Sequence, residues 1–114
     1  MNSKRLPVVI TRLVALGVLL PGILAAQSRI GSGDVKDIYM TNCASCHGRD
    51  LAGGSGGSLV DDEWKYGGSD AEIATSIRDG IPDMDMPAWK GALDEKQIRS
   101  LVIFLREKKA EMRT

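Results

Sequence analysis

Two cysteines and the only histidine of this 114-residue chain lie together, in the segment Cys43-Ala44-Ser45-Cys46-His47. Cys-x-x-Cys-His is the attachment signature of a c-type haem. At this spacing, two thiols can add to the two vinyl groups of one porphyrin, and the histidine that follows can bind the iron. We therefore predict one covalently attached haem c, with Cys43 and Cys46 as attachment sites and His47 as an axial ligand.

Three other interpretations of the same residues remain as alternatives. A redox-active dithiol usually lies at a helix start in a βαβ unit, and no strand pattern precedes Cys43. A structural zinc ion takes four ligands, whereas Cys and His residues number three in the whole chain. The simplest alternative is a short-loop disulfide beside an unrelated histidine.

The second axial ligand must be of another residue type, because the chain has one histidine. Methionine serves this purpose in electron-carrying haem proteins. Met84 and Met86 share an apolar loop that also contains prolines. We predict Met86 as the ligand, with Met84 as the alternative, and a different ligand or an open position as a further one. Pro87 favours an extended backbone at Met86, which stiffens the loop.

Apolar periodicity predicts helices and loops around these residues, without strands. The first helix runs into Cys43, the second ends at Gly80, and the third covers roughly 95–109. Each begins after a side chain that can cap it, namely Asp34, Ser69 and Asp94. The segments 48–58 and 81–93 are predicted to be loops. The fold class is therefore all-α, with three to five short helices and long loops wrapped around one haem.

The segment Asp61–Tyr66 is expected to form a short helical turn. Its Trp64, Lys65 and Tyr66 could donate hydrogen bonds to the haem propionates, and Leu59 is a further candidate contact of the haem pocket. Acidic side chains could steer a basic partner toward the molecule; these are Asp61, Asp62, Glu63, Asp83 and Asp85.

The N-terminal part of the sequence has the features of a secretory signal peptide. Three basic residues precede the uncharged apolar run 13–26, which ends in two alanines. This run is shorter than the ~20 apolar residues of a membrane span. We predict a signal peptide at 1–26, one domain at 27–114 and a periplasmic location. Contact with a membrane is expected only if the signal segment stays uncleaved.

Residues 27–114 carry 12 basic and 15 acidic residues. They provide no basic surface for nucleic acid, so no nucleic-acid partner is expected. Leu, Ile, Val and Phe together number 16 in this stretch, which makes a thin core. Small domains with such cores usually gain stability from a metal, a disulfide or a similar constraint. A buried porphyrin would provide a large apolar body for the core to pack against.

Over essentially all of residues 27–114 the sequence resembles the bacterial class I cytochromes c. The resemblance rests on Tyr39-x-x-x-Cys43-Ala44-Ser45-Cys46-His47-Gly48, Asp61-Asp62-x-Trp64-x-Tyr66-Gly67-Gly68, Ile77-x-x-Gly80, Met86-Pro87-Ala88-Trp89 and the helix around Leu101–Leu105. It implies the class I cytochrome c fold and Met86, from the Met-Pro pair, as the distal ligand. It also implies that the first and last helices cross near the haem, with Tyr39 and Phe104 at their contact.

Two positions depart from the pattern of that family. Val35 stands where a small residue often permits close crossing of the helices. Gly57 stands where a proline usually offers its carbonyl to the ligating histidine. A carbonyl remains available at Gly57, in a less stiff loop.

The resemblance implies a single-electron carrier that is not an enzyme. Its motifs are most similar to cytochrome domains that accept electrons from quinoprotein dehydrogenases and to haem c subunits of terminal oxidases, and both remain candidate redox partners. The alternatives are a haem enzyme or gas sensor in which the methionine is displaced, and a fixed haem subunit of a dehydrogenase or oxidase complex.

Overall fold

The computed structural model describes residue 17 and residues 33–114. The elements in order are α1 (Val35–Asn42), α2 (Ala44–His47), α3 (Asp70–Asp79), a 3-10 turn (Pro82–Met84) and α4 (Glu95–Glu111). Residues 33–114 contain no strand, and an isolated antiparallel bridge pairs Ile81 with Met86. The prediction of an all-α fold with three to five short helices is confirmed for this part of the chain.

The signal peptide expected at 1–26 lies outside the described residues. Within residues 33–114, no helix is both long enough and apolar enough to cross a membrane.

The helices begin at the predicted capping side chains. The Asp34 carboxylate accepts a hydrogen bond from the Lys36 backbone N–H (3.2 Å) at the start of α1. The starts of α3 and α4 are capping boxes, formed by the pairs Ser69–Glu72 and Asp94–Gln97. In such a box two backbone N–H groups that have no partner within the helix are satisfied by side chains. The sequence pattern therefore located all three starts, and α4 ends two residues beyond its predicted range.

The prediction of a short helical turn at Asp61–Tyr66 is wrong. The segment forms bends and one hydrogen-bonded turn, in which the Gly67 N–H donates to the Trp64 carbonyl (3.2 Å). The Asp61 carboxylate accepts from the Glu63 N–H (3.1 Å). Local bonds from aspartate side chains to the backbone compete with helix formation, so the segment remains a loop.

The core is formed where α1 and α3 pack against α4. The rings of Tyr39 and Phe104 meet at the crossing of α1 and α4, with centroids 5.5 Å apart and planes tilted by 45°. Val35 is partly buried and packs against the same core, so the crossing accommodates its side chain. The buried apolar side chains are Ile38, Tyr39, Ala44, Leu51, Ile73, Ile77, Leu93, Ile98, Leu101, Val102, Phe104 and Leu105.

Candidate haem site

The last residue of α2, His47, is oriented by a backbone carbonyl. Its Nδ1 lies 2.8 Å from the carbonyl oxygen of Gly57. A carbonyl can only accept, so Nδ1 carries the proton, and the lone pair of Nε2 is free to bind a metal. The proline of the related cytochromes is therefore not required for this bond, because the glycine carbonyl takes its place.

A glycine-rich loop wraps around α2 and holds that carbonyl in position. The Gly53 N–H donates to the His47 carbonyl (2.9 Å), and the Gly56 N–H donates to the Cys46 carbonyl (2.8 Å). A Cβ atom on Gly56 would lie 3.0 Å from both Nδ1 and Cε1 of the imidazole, whereas one on Gly57 would meet nothing within 4 Å. Close approach of the loop to the histidine therefore requires glycine at 56 but not at 57.

Gly56→Ala is expected to push the imidazole away from the Gly57 carbonyl and to destabilise the domain by about 1 kcal/mol, the lower range for overpacking. A weaker bond to Nδ1 makes the histidine a poorer donor to ferric iron, so the reduction potential of the haem-loaded protein should rise. Gly57→Ala should leave the potential unchanged. Potentiometric titration and thermal unfolding of both variants measure these effects, and equal potentials in the two variants would contradict the assignment.

Cys43 and Cys46 are both free thiols and are not joined in a disulfide. Cys43 links α1 to α2 and is partly buried, while Cys46 is exposed. Burial, and secondarily the neighbouring Cys46, raises the pKa of the Cys43 thiol to about 11. Redox-active dithiols need a lowered thiol pKa. The raised pKa of the Cys43 thiol is therefore opposite to what a redox-active dithiol requires of this residue.

The two candidate methionines lie in different environments. Met86 is partly buried and packs against the core, as does Trp89. Met84 is 53% exposed. The structure therefore favours Met86 over Met84 as the residue that faces the interior.

Trp64 presents a buried polar atom that has no partner. Its Nε1 is buried and makes no hydrogen bond within the described part of the chain. A buried donor left unpaired costs about 1–3 kcal/mol, and a haem propionate is an acceptor that would satisfy it. Leu59 is partly buried against the core, and Tyr66 is largely exposed with the Lys65 Nζ 5.4 Å from its ring centroid.

Two basic residues of α4 flank the Trp64 ring, which the sequence did not reveal. The Arg106 Cζ lies 5.6 Å and the Lys109 Nζ 5.4 Å from the centre of the indole ring. Lys109 is 9% exposed, and its Nζ donates to the Asp61 carbonyl (2.6 Å). Its position four residues after Leu105, on the buried face of α4, is the signal that could have revealed it.

The acidic side chains expected to steer a partner are not equivalent. Asp62 pairs with Lys109 (2.9 Å) and also with Arg113. The hydrogen bond from Lys109 and the charge of Arg113 lower the pKa of the Asp62 carboxyl. Asp62 is therefore engaged within the molecule, which reduces what it can contribute to steering.

The donor set at His47 and the unpaired indole N–H fit a haem. Among residues 33–114, no group of three or more His, Cys, Asp and Glu side chains is placed to hold a metal ion. The free Nε2 of His47 next to two thiols, with the unpaired Trp64 donor, matches the requirements of an attached porphyrin with carboxylate side groups.

Comparison with known proteins identifies the family. The profile of the family described as "Cytochrome C oxidase, cbb3-type, subunit III" matches residues 33–105, well over half of the chain. The chain belongs to this family. Within it, the chain is a c-type cytochrome domain with the all-α fold of class I, as the resemblance of its motifs implied.

Similar proteins include oxidase subunits and small cytochromes. The cbb3-type cytochrome c oxidase subunit CcoP of Azospirillum sp. (strain B510) is 34% identical over 95 residues, which cover 75% of this chain and 31% of that protein. Cytochrome c55X of Stutzerimonas stutzeri is 33% identical over 80 residues, 70% of each chain. The solved structure of the KustC0563 c-type cytochrome has a TM-score of 0.58 and 29% identity, covering 67% of this chain and 98% of that one.

The chain spans 24% to 31% of the length of the CcoP and FixP proteins that it matches. Those proteins are therefore much larger than this cytochrome domain.

Proposed function

We propose that this cytochrome domain is a single-electron carrier with one covalently attached haem c, in which His47 and Met86 are the axial ligands. The observation that carries the proposal is the 2.8 Å contact between His47 Nδ1 and the Gly57 carbonyl. It leaves Nε2 as the free nitrogen, directly after two free thiols.

Cys43 and Cys46 would hold the haem through thioether bonds. Each thiol S–H would add across a vinyl C=C bond, with sulfur going to one carbon and hydrogen to the other. No electron is gained or lost, so the step needs reduced thiols and no oxidant. Cys43 directly precedes α2 and Cys46 lies within it, so a single short turn separates the two sulfur atoms that would bind one porphyrin.

When bound, haem supplies an iron that takes up one electron as Fe(III) and releases it as Fe(II). Met86 provides a neutral thioether, which favours the ferrous state relative to a second histidine. The side chains of Met86 and Trp89 are partly buried against the core, and a low-polarity environment around a bound haem would raise the potential further. With both axial positions filled, no position is open for a substrate, so the domain acts as a carrier and not as an enzyme.

The location and partners follow from the N-terminal pattern and the relatives. Export directed by the signal peptide at 1–26 would leave the domain 27–114 in the periplasm, where c-type haem is attached in bacteria. The names of the CcoP and FixP relatives favour a terminal oxidase as the electron acceptor. A quinoprotein dehydrogenase as the electron donor is supported by motif resemblance alone.

Optical spectra of Met86→Ala and Met84→Ala test the proposal. The oxidised wild-type protein should show the weak long-wavelength band of methionine sulfur bound to ferric iron. Met86→Ala should lose this band, and its ferrous form should bind carbon monoxide, while Met84→Ala should behave as the wild type. Carbon monoxide binding to the ferrous wild type at neutral pH would instead indicate a haem enzyme or gas sensor. Loss of the band in Met84→Ala alone would transfer the ligand role to Met84.

A further inference from the structure

The loop that carries Met86 is attached to the C-terminus of α3 by backbone hydrogen bonds. We call residues 81–90 the Met86 strap. The N–H groups of Trp89 and Lys90 donate to the carbonyls of Ile77 (3.1 Å) and Arg78 (3.2 Å). These carbonyls belong to the last turn of α3, where helix carbonyls lack partners within the helix. The strap therefore provides hydrogen-bond donors for two carbonyls at the end of α3, and these bonds fix the position of the strap on the helix.

The strap is also closed on itself around Met86. The Ile81 N–H donates to the Met86 carbonyl (2.9 Å), and the Met86 N–H donates to the Ile81 carbonyl (3.3 Å). Between them, Asp85 has a left-handed backbone with φ of 55°. Both backbone polar groups of Met86 are therefore bonded to the residue that follows directly after Gly80.

Gly80, directly after α3, lies close against the backbone of the strap. Its backbone has φ 72° and ψ 179°, a combination that is essentially restricted to glycine. A Cβ atom there would lie 2.6 Å from the Met86 carbonyl oxygen, 2.7 Å from the Ala88 nitrogen and 2.8 Å from the Pro87 carbonyl carbon. All three are backbone atoms, so a side-chain rotation cannot relieve the contact.

We infer that Gly80 is a positioning residue for Met86, which it holds at the iron by allowing the Met86 strap to close against the end of α3. The inference rests on the proposed role of Met86 as the axial ligand. The atoms nearest to a Cβ at Gly80 are backbone atoms of Met86–Ala88, so Gly80 acts on Met86 through this backbone. With haem bound, closure of the strap would keep the Met86 sulfur at the iron. Opening of the strap would allow other ligands to take its place.

Imidazole binding to the ferric haem-loaded protein measures this closure, because imidazole can bind iron only after Met86 leaves. Gly80→Ala should bind imidazole at least about tenfold more tightly than the wild type, since strain of this kind shifts a closing equilibrium by an order of magnitude or more. Gly91→Ala is the matched control, because a Cβ atom at Gly91 meets nothing within 4 Å. It should bind imidazole with wild-type affinity.

A second control separates positioning from general loss of stability. Leu105→Ala removes a buried side chain from α4, outside the Met86 strap in the sequence, and is expected to lower stability. If Leu105→Ala increases imidazole affinity as much as Gly80→Ala does, or if Gly80→Ala leaves the affinity unchanged, the inference is overturned. Failure of the proposed function would look different. In that case the sulfur-to-iron band would be absent from the wild type, or it would persist in Met86→Ala.

Hydrogen exchange in the wild-type protein tests the same inference without a variant. Saturating imidazole should release the N–H groups of Ile81 and Trp89, which bond within the strap and to α3, while the Ile98 N–H in α4 stays protected. Unchanged protection of Ile81 and Trp89 when imidazole has displaced Met86 would show that the sulfur moves without the strap, contrary to the inference.

Discussion

Replacing both Cys43 and Cys46 by serine is expected to yield a protein without covalently bound haem and with a weakened helical core. Serine hydroxyls do not form thioethers with vinyl groups, so any haem that binds should be extractable by acidified organic solvent. The helices should also unfold at lower temperature, because Leu59, Met86 and Trp89 are only partly buried in the polypeptide alone. A small domain with a thin core depends on the body that covers such residues.

Haem staining after denaturing electrophoresis measures the covalent link, and circular dichroism measures the helical content. Ser45→Ala, between the two cysteines and exposed, is the control and should retain haem and stability. Cys46→Ser alone should keep haem through one thioether. Haem that remains attached to the double variant after extraction would refute the attachment sites.

Lys109→Met is expected to destabilise the haem-loaded protein on the order of 2 kcal/mol, the range for a lost hydrogen bond to a charged group. Methionine preserves much of the side-chain volume but removes the Nζ that donates to the Asp61 carbonyl (2.6 Å) and pairs with Asp62 (2.9 Å). It also removes one of two cations on the ring of Trp64. For a domain of this size the loss corresponds to a melting temperature lower by roughly 10 °C.

Lys108→Met provides the matched control one residue away. Lys108 is 36% exposed and pairs with Glu111 within α4 (2.6 Å), and exposed pairs of this kind contribute about 0.5 kcal/mol or less. The melting temperature of Lys109→Met should therefore be clearly lower than that of Lys108→Met. Equal melting temperatures would show that Lys109 does not secure the segment around Trp64.

The parts of the fold that the sequence predicted correctly are those determined over a few residues. The capping boxes at Ser69 and Asp94 use partners three residues away. The candidate haem residues Cys43, Cys46 and His47 are likewise contiguous, and their role stays a prediction. A local pattern contains all the information that such features need.

The parts that the sequence did not reveal depend on residues far apart in the chain. Lys109 meets Asp61 across 48 positions, and no local pattern connects the two residues. The reason for glycine at position 80 is the backbone of Met86, which reaches it only after the loop has closed. At Asp61–Tyr66 a short helical turn was expected, and the bond from the Glu63 N–H to the Asp61 carboxylate is one of the local bonds that compete with it.

The contact between Tyr39 and Phe104 joins the first and last helices across 65 positions. Contacts of such long range slow folding, because the chain must lose the entropy of closing a large loop first. A chain emerging from synthesis or translocation cannot bury Tyr39 against Phe104 until α4 has emerged. If haem is attached at Cys43 and Cys46 as proposed, the segment Cys43–His47 directly after α1 would be accessible for attachment before the core forms, so the order of the helices along the chain would allow attachment to precede folding.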